Sequence, residues 1–225
     1  MNLATRLSLI GLLLVTPLRL ALAADAAHNF EKWETDIAAF EAADRTNPPP
    51  TNAVLFIGSS TIRLWTNLAK DFPEARVINR GFGGSEIADV THFAGRMVIP
   101  YAPQAIFFRA GGNDIAAGKS PEAVFADFKD FVATVHARLP DTDIFCISWN
   151  ATTARWQNQD KETILNNLVA GYARQTPHLQ YIEANAFVLG ANGKPRPELF
   201  RADGLHFNAA GYKLLAERVR PYLPK

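Results

Sequence analysis

The sequence predicts a three-layer α/β/α sandwich on a parallel five-stranded sheet. Three observations predict it: five short apolar runs recur along the chain, helical patterns separate them, and the runs do not alternate with polar residues. Unbroken apolar runs suit strands buried on both faces, as in a parallel sheet covered by helices. A strand-then-helix rhythm repeated five times with right-handed crossovers gives the layered sandwich.

In chain order, the N-terminus carries a short basic segment ending at Arg6, an apolar stretch from Leu7 to Val15 and small residues at Ala21 and Ala23. This is the pattern of a secretory signal peptide over residues 1–23, with cleavage expected after Ala23 and a periplasmic or secreted destination. A membrane anchor fits less well, because Pro17 and Arg19 interrupt a run already short of the roughly 20 residues a spanning helix needs. No stable membrane insertion is expected after cleavage, and residues 24–225 are expected to form a single domain.

Residues 28–43 place Phe30, Trp33, Ile37 and Phe40 on one helical face, which the segment NPPP at 47–50 ends. The strand runs are 53–57 (AVLFI), 76–79, 105–108 (AIFF), 143–148 (DIFCIS) and 179–182. The clearest helix, 121–139, takes Ser120 as N-cap and Pro121 at its first position. Val124, Phe128, Phe131, Val135 and Leu139 form its apolar stripe, and Pro140 stops it. A last helix starts near Asn208, turns Tyr212, Leu215, Ala216 and Val219 inward and ends at Pro221.

Composition narrows the function classes. With 225 residues, 48% apolar content and 11% aromatics, the chain can enclose one sizeable core. Its 23 lysines and arginines against 22 aspartates and glutamates, with no block of like charge, leave no electrostatic footprint for nucleic acid. The single cysteine, Cys146, excludes an internal disulfide and lies in an apolar run, where it reads as a small buried hydrophobe. His28, His92, His136 and His178 are scattered without a HExxH pattern, so no metal site is expected.

In a doubly wound sheet, sites lie beyond the carboxyl ends of the strands, beside the point where the strand order reverses. Four segments of this sequence fall at such ends or in the last long loop. They are Gly58-Ser59-Ser60-Thr61, residues 79–84 (NRGFGG), Gly111-Gly112-Asn113-Asp114 and Asp203-Gly204-Leu205-His206. A serine hydroxyl becomes a nucleophile when an imidazole takes its proton, and the imidazole needs its other nitrogen held by an acceptor. Asp203 and His206, three residues apart, can be aimed the same way by one turn. The backbone N–H groups of Ser60 and Gly84 and the side-chain amide of Asn113 could serve a developing oxyanion. Two adjacent serines are candidates, and position favours Ser60. Arg80, Arg155 and Trp156 stand near predicted strand ends and are left outside the candidate site.

The G-x-S-x-G elbow of α/β-hydrolases is absent, since the run Gly58-Ser59-Ser60-Thr61-Ile62 lacks the second glycine. FIGSSTIRLW (56–65), NRGFGGS (79–85), GGND (111–114) and DGLH (203–206) instead resemble, in order, blocks I, II, III and V of the SGNH hydrolases, the GDSL-type esterases and lipases. The resemblance implies a flavodoxin-like parallel five-stranded sheet, Ser60 as nucleophile, Gly84 and Asn113 as oxyanion donors, a triad completed by Asp203 and His206, and no cofactor. Ser59 stands where the family's block I usually has aspartate.

The expected activity is hydrolysis of short-acyl esters, acetyl to butyryl, on a small-molecule or carbohydrate substrate. Residues 184–207 carry Asn192, Gly193, Lys194, Pro195, Arg196 and Pro197, which suit an open rim and leave no insertion for an apolar lid. The alternatives are an acyltransferase moving O-acetyl groups between cell-envelope sugars and a catalytically idle carbohydrate-binding protein of the same fold.

Overall fold

The computed structural model describes residues 28–224, so the expected signal peptide at 1–23 lies outside the described residues. Five parallel strands form one sheet: β1 (Val54–Gly58), β2 (Val77–Gly81), β3 (Ala105–Arg109), β4 (Asp143–Ile147) and β5 (Leu179–Ile182). Their spatial order is β2-β1-β3-β4-β5, so the direction of winding reverses between β1 and β3. The predicted runs 53–57, 76–79, 105–108, 143–148 and 179–182 coincide with these strands to within two residues at each end.

Helices flank the sheet in chain order: α1 (Glu34–Thr46), α2 (Ser60–Arg63), α3 (Leu68–Asp71), α4 (Ile87–His92), α5 (Ala94–Met97), α6 (Gly112–Ala116), α7 (Pro121–His136), α8 (Gln159–Ala173) and α9 (Ala209–Val219). Successive strand side chains point to opposite faces. Leu55, Ile57, Ile106, Phe108, Ile144 and Cys146 therefore join the core that includes Ile37 of α1, Val90 of α4, Phe131 of α7 and Leu165 of α8. Val54, Phe56, Phe107, Phe145 and Ile147 join the opposite core with Ile62, Leu68 and Leu215. On that second face the parallel register aligns Phe56, Phe107 and Phe145 into a stacked ladder with centroids 4.7 and 4.8 Å apart. Each such pair contributes about 0.5–1.5 kcal/mol beyond area burial.

The residues of β1 and β3 are buried throughout, whereas the edge strands β2 and β5 are only partly covered, which explains their weaker apolar runs. The helix predicted at 28–43 begins as a 3₁₀ turn, Glu31–Trp33, before α1; Ile37 is buried and Phe30, Trp33 and Phe40 pack on the first core. In α7 the Ser120 hydroxyl accepts from the Ala123 N–H at 3.2 Å, as an N-cap does. The α-helix ends at His136, three residues before the predicted Leu139, although Leu139 N–H still bonds the Val135 carbonyl at 2.8 Å. Asn208 caps α9 through the Ala210 and Gly211 N–H groups, with Tyr212, Leu215, Ala216 and Val219 buried as predicted.

Residues 184–207 are more structured than a solvated rim. Two 3₁₀ turns, Ala186–Val188 and Pro197–Leu199, and two isolated bridges fold them back on themselves, and Val188, Leu199, Phe200 and Phe207 enter the second core. Among the described residues, no helix is long and apolar enough to cross a membrane.

Candidate active site

The turn after β1 is built around close backbone contact. Gly58 has φ +143°, and a Cβ there would lie 2.0 Å from the Arg109 carbonyl oxygen, so only glycine lets β1 end this near β3. Ser59 then donates its N–H to that same carbonyl at 2.9 Å. Ser60 becomes the first residue of α2. Two long-range bonds clamp this short helix: Asn79 Nδ2 donates to the Ile62 carbonyl at 2.7 Å, and the Tyr212 hydroxyl donates to the Thr61 carbonyl at 2.9 Å. Asn79 Oδ1 also accepts from Gly81 N–H at 2.9 Å, which fixes the end of β2 to the same point.

The loop before α9 brings the imidazole to this serine. His206 Nε2 lies 3.0 Å from Ser60 Oγ, and His206 Nδ1 lies 2.8 Å from Asp203 Oδ2. The other carboxylate oxygen of Asp203 accepts from the backbone N–H groups of Leu205 and His206, each at 2.9 Å. The bond to the His206 ring, and then these two backbone bonds, hold the Asp203 carboxyl well below the usual carboxylate range. An imidazole that donates from Nδ1 to Asp203 presents Nε2 as acceptor for the serine proton. The loop is braced from the side by the segment after β4, where Ala154 N–H donates to the Gly204 carbonyl at 3.0 Å.

Block III supplies the amide. Asn113 Nδ2 donates to the Ser85 carbonyl at 3.0 Å, and its Oδ1 accepts from Arg155 Nη1 at 3.1 Å. These two partners fix which way the amide faces and leave one N–H of Nδ2 for another acceptor. Ser60, Asn113 and His206 line one cavity with an interior volume of about 60 Å³. Gly84 sits next to Ser85 in the turn after β2 with φ +87°, but it is not part of that cavity's lining. The neighbouring Asp114 is a brace: fully buried, it accepts from Ile87 N–H at the start of α4 and from Lys119 Nζ at 3.1 Å. Burial pushes its carboxyl up to about 6, against the opposing pull of Lys119.

Among the residues of this cavity that the sequence did not mark out as part of the site, three are charged. Arg155 lies in the lining and holds both Asn113 and the Gly112 carbonyl, the latter at 3.0 Å. Arg109 and Glu162, from the end of β3 and from α8, are buried in its wall. A charged residue closing an otherwise apolar strand was the available signal for Arg109; Glu162 had none, since one glutamate on a polar helix is unremarkable in sequence. Arg80, by contrast, pairs with Asp44 and with the Tyr101 hydroxyl away from the cavity. Among the described residues, no three His, Cys, Asp or Glu side chains gather as a metal site.

A model of the GDSL-like lipase/acylhydrolase family matches residues 57–214. No curated protein sequence matches the chain. Several solved structures share its fold. A Streptococcus pneumonia protein provisionally described as a platelet activating factor is 21% identical, with a TM-score of 0.76 over 87% of this chain and 94% of that one. A GDSL-like lipase from Bacteroides thetaiotaomicron is 18% identical, with a TM-score of 0.68 over 86% and 96%. An acetyl-xylooligosaccharide esterase from Geobacillus Stearmophilus is 16% identical, with a TM-score of 0.62 over 77% and 95%.

Proposed function

The chain belongs to the GDSL-like lipase/acylhydrolase family and is a carboxylic-ester hydrolase, and on that premise we propose that it cleaves short-acyl esters through an acyl-enzyme on Ser60. The observation that carries this reading is the continuous relay from Asp203 through His206 to Ser60 Oγ, with contacts of 2.8 and 3.0 Å. As Oγ attacks the ester carbonyl carbon, its proton passes to His206 Nε2, and the carbonyl oxygen takes up the negative charge. The Ser60 N–H and the free Asn113 N–H stabilise that oxyanion, with the Gly84 N–H, in the turn beyond the cavity's lining, as the third donor that the family resemblance implies. Collapse breaks the ester C–O bond, and the departing alcohol takes the proton from His206. A water molecule then attacks the acyl carbon, gives a proton to His206, and releases the acid while Oγ regains its hydrogen. Asp203 stays ionised throughout and holds the imidazole in the tautomer required.

Export belongs to the same reading, resting on the basic and apolar segments and the small residues Ala21 and Ala23 at the N-terminus. The nucleophile is tested by substitution and labelling. Ser60→Ala is expected to lower kcat by roughly 10⁴-fold or more, whereas Ser59→Ala retains most activity. An organophosphonate should modify Ser60; a label found on Ser59 would overturn the assignment.

A further inference from the structure

The wall of the Ser60 cavity is unusually polar for a pocket that would hold only a hydrocarbon acyl group. Arg109, Trp149 and Glu162 all line it and are 7%, 3% and 5% exposed. Each carries a buried polar atom without a hydrogen-bond partner: the donors Arg109 Nε and Trp149 Nε1, and the acceptor Glu162 Oε2. Among the described residues only two other side-chain atoms share that condition, Trp33 Nε1 and Gln159 Oε1. Buried polar groups are almost always paired, and leaving one unmet is costly. Three unmet groups of both polarities, on three residues that line one small cavity, point to something polar that enters it.

The remaining bonds show that this wall is built rather than loose. Arg109 Nη1 donates to the Ser148 carbonyl and Nη2 to Asn150 Oδ1, so the guanidinium is anchored with Nε left over. Asn150 in turn donates to the Ala151 carbonyl at 3.0 Å, which ties the anchor to the segment after β4. Burial raises the Glu162 carboxyl to about 7, opposed by the charges of Arg109 and Arg155. The cavity is small, with an interior volume of about 60 Å³.

From these residues we infer that the cavity is a hydroxyl-recognition subsite, in which Glu162 Oε2 accepts a hydrogen bond from a substrate hydroxyl while Arg109 Nε or Trp149 Nε1 donates to its oxygen. A hydroxyl is the smallest group that donates and accepts at once, so it answers both polarities within this volume. The inference rests on Ser60 being the nucleophile, since only then does the cavity adjoin the scissile ester. The hydroxyl can sit on the acyl side, as in a lactyl ester, or on the alcohol side, as in a glycerol or sugar ester.

Two matched pairs of esters distinguish these sources: lactyl against propionyl esters of one aryl alcohol, and glycerol monoacetate against propyl acetate. In the wild-type enzyme one hydroxylated ester should exceed its partner in kcat/KM by about tenfold to a hundredfold, as for a hydrogen bond to a charged group. The pair that responds identifies the side. That ratio should fall toward one in Glu162→Leu and to an intermediate value in Glu162→Gln, which keeps one acceptor oxygen and serves if the leucine variant does not fold. Organophosphonate labelling of Ser60 accompanies every measurement. Equal rates within both pairs, with Ser60 still labelled, overturn the subsite alone and mean that ordered water satisfies these groups. A ratio that survives both substitutions also overturns it. Failure of Ser60 to label in the wild type overturns the nucleophile and the subsite with it.

Discussion

The Asn113 amide is held at both ends, and its energetics follow from that. One N–H goes to Ser85 and Oδ1 is taken by Arg155, so the free N–H needs no reorientation when charge develops. Asn113→Ala is therefore expected to lower kcat by about 10²–10³ with KM little changed, as removal of one oxyanion donor does. On the proposed mechanism Arg155 acts through this amide as a positioning residue. Arg155→Ala should lower kcat by about tenfold, less than loss of the amide itself, because the Ser85 carbonyl still restrains Nδ2. Steady-state kinetics of the two variants check the order; an Arg155→Ala enzyme slower than Asn113→Ala would show that the guanidinium acts on substrate directly. Ser60, Gly84, Asn113, Asp203 and His206 were candidates in the sequence, because each falls in a short block whose residue types match a chemical task; the structure joins Ser60, His206 and Asp203 by hydrogen bonds and puts Asn113 on the same cavity, whereas Gly84 lies outside its lining. Arg155 was visible only as a charge near a strand end. Its role depends on a contact across 42 residues, which no local pattern encodes.

Secondary elements set the tolerances within which those side chains work. The short helix α2 gains its orientation from Asn79, whose amide holds both the Ile62 carbonyl and the Gly81 N–H. Asn79→Ala should destabilise the fold by about 1–3 kcal/mol, since it leaves two part-buried backbone groups unmet, and urea unfolding measures this. Helix α8 contributes a pH dependence through Glu162. Its carboxyl titrates near 7 in the folded chain against an ordinary value of 4.5, because burial disfavours the charged form. Below 4.5 both states are protonated and nothing is lost; as pH rises toward 7 the unfolded chain releases its proton first, so stability falls over that window. Glu162→Gln should abolish this decline, which is on the order of 3 kcal/mol when unfolding free energies at pH 4.5 and 8 are compared with wild type. A wild-type profile parallel to that of the variant would refute the buried-carboxylate account. The strands were legible because β1, β3 and β4 are almost wholly buried and so leave unbroken apolar runs. Helix α8 was not, for QDKETILNNLVAGYA mixes its faces: it buries Leu165 and Val169 but exposes Ile164 at 45%.

For the molecule as a whole, the layered sheet places four separate loops around one cavity, and the make-up of its wall bears on the proposed short-acyl preference. Each methylene buried in a matching channel contributes about 0.8 kcal/mol, so a long acyl tunnel would make kcat/KM climb with chain length. The cavity wall here is polar instead, carrying Arg109, Asn150 and Glu162. On soluble aryl esters below the micelle threshold, kcat/KM is expected to peak between acetyl and butyryl; a maximum at octanoyl or beyond would redirect the search to lipid substrates.

Cys146, the chain's one cysteine, is sealed on β4 between the sheet and its helices, and burial pushes its thiol far above the ordinary range. A thiol reagent added to the native protein can reach it only in molecules whose central sheet has come apart. Where reclosing outruns modification, the labelling rate relative to a free thiol reports the equilibrium fraction of opened molecules, without denaturant. Any compound that binds the native state lowers that fraction by mass action. Because Cys146 is not among the residues lining the Ser60 cavity, slowed labelling would rank small esters and their analogues by affinity through a reporter they never touch.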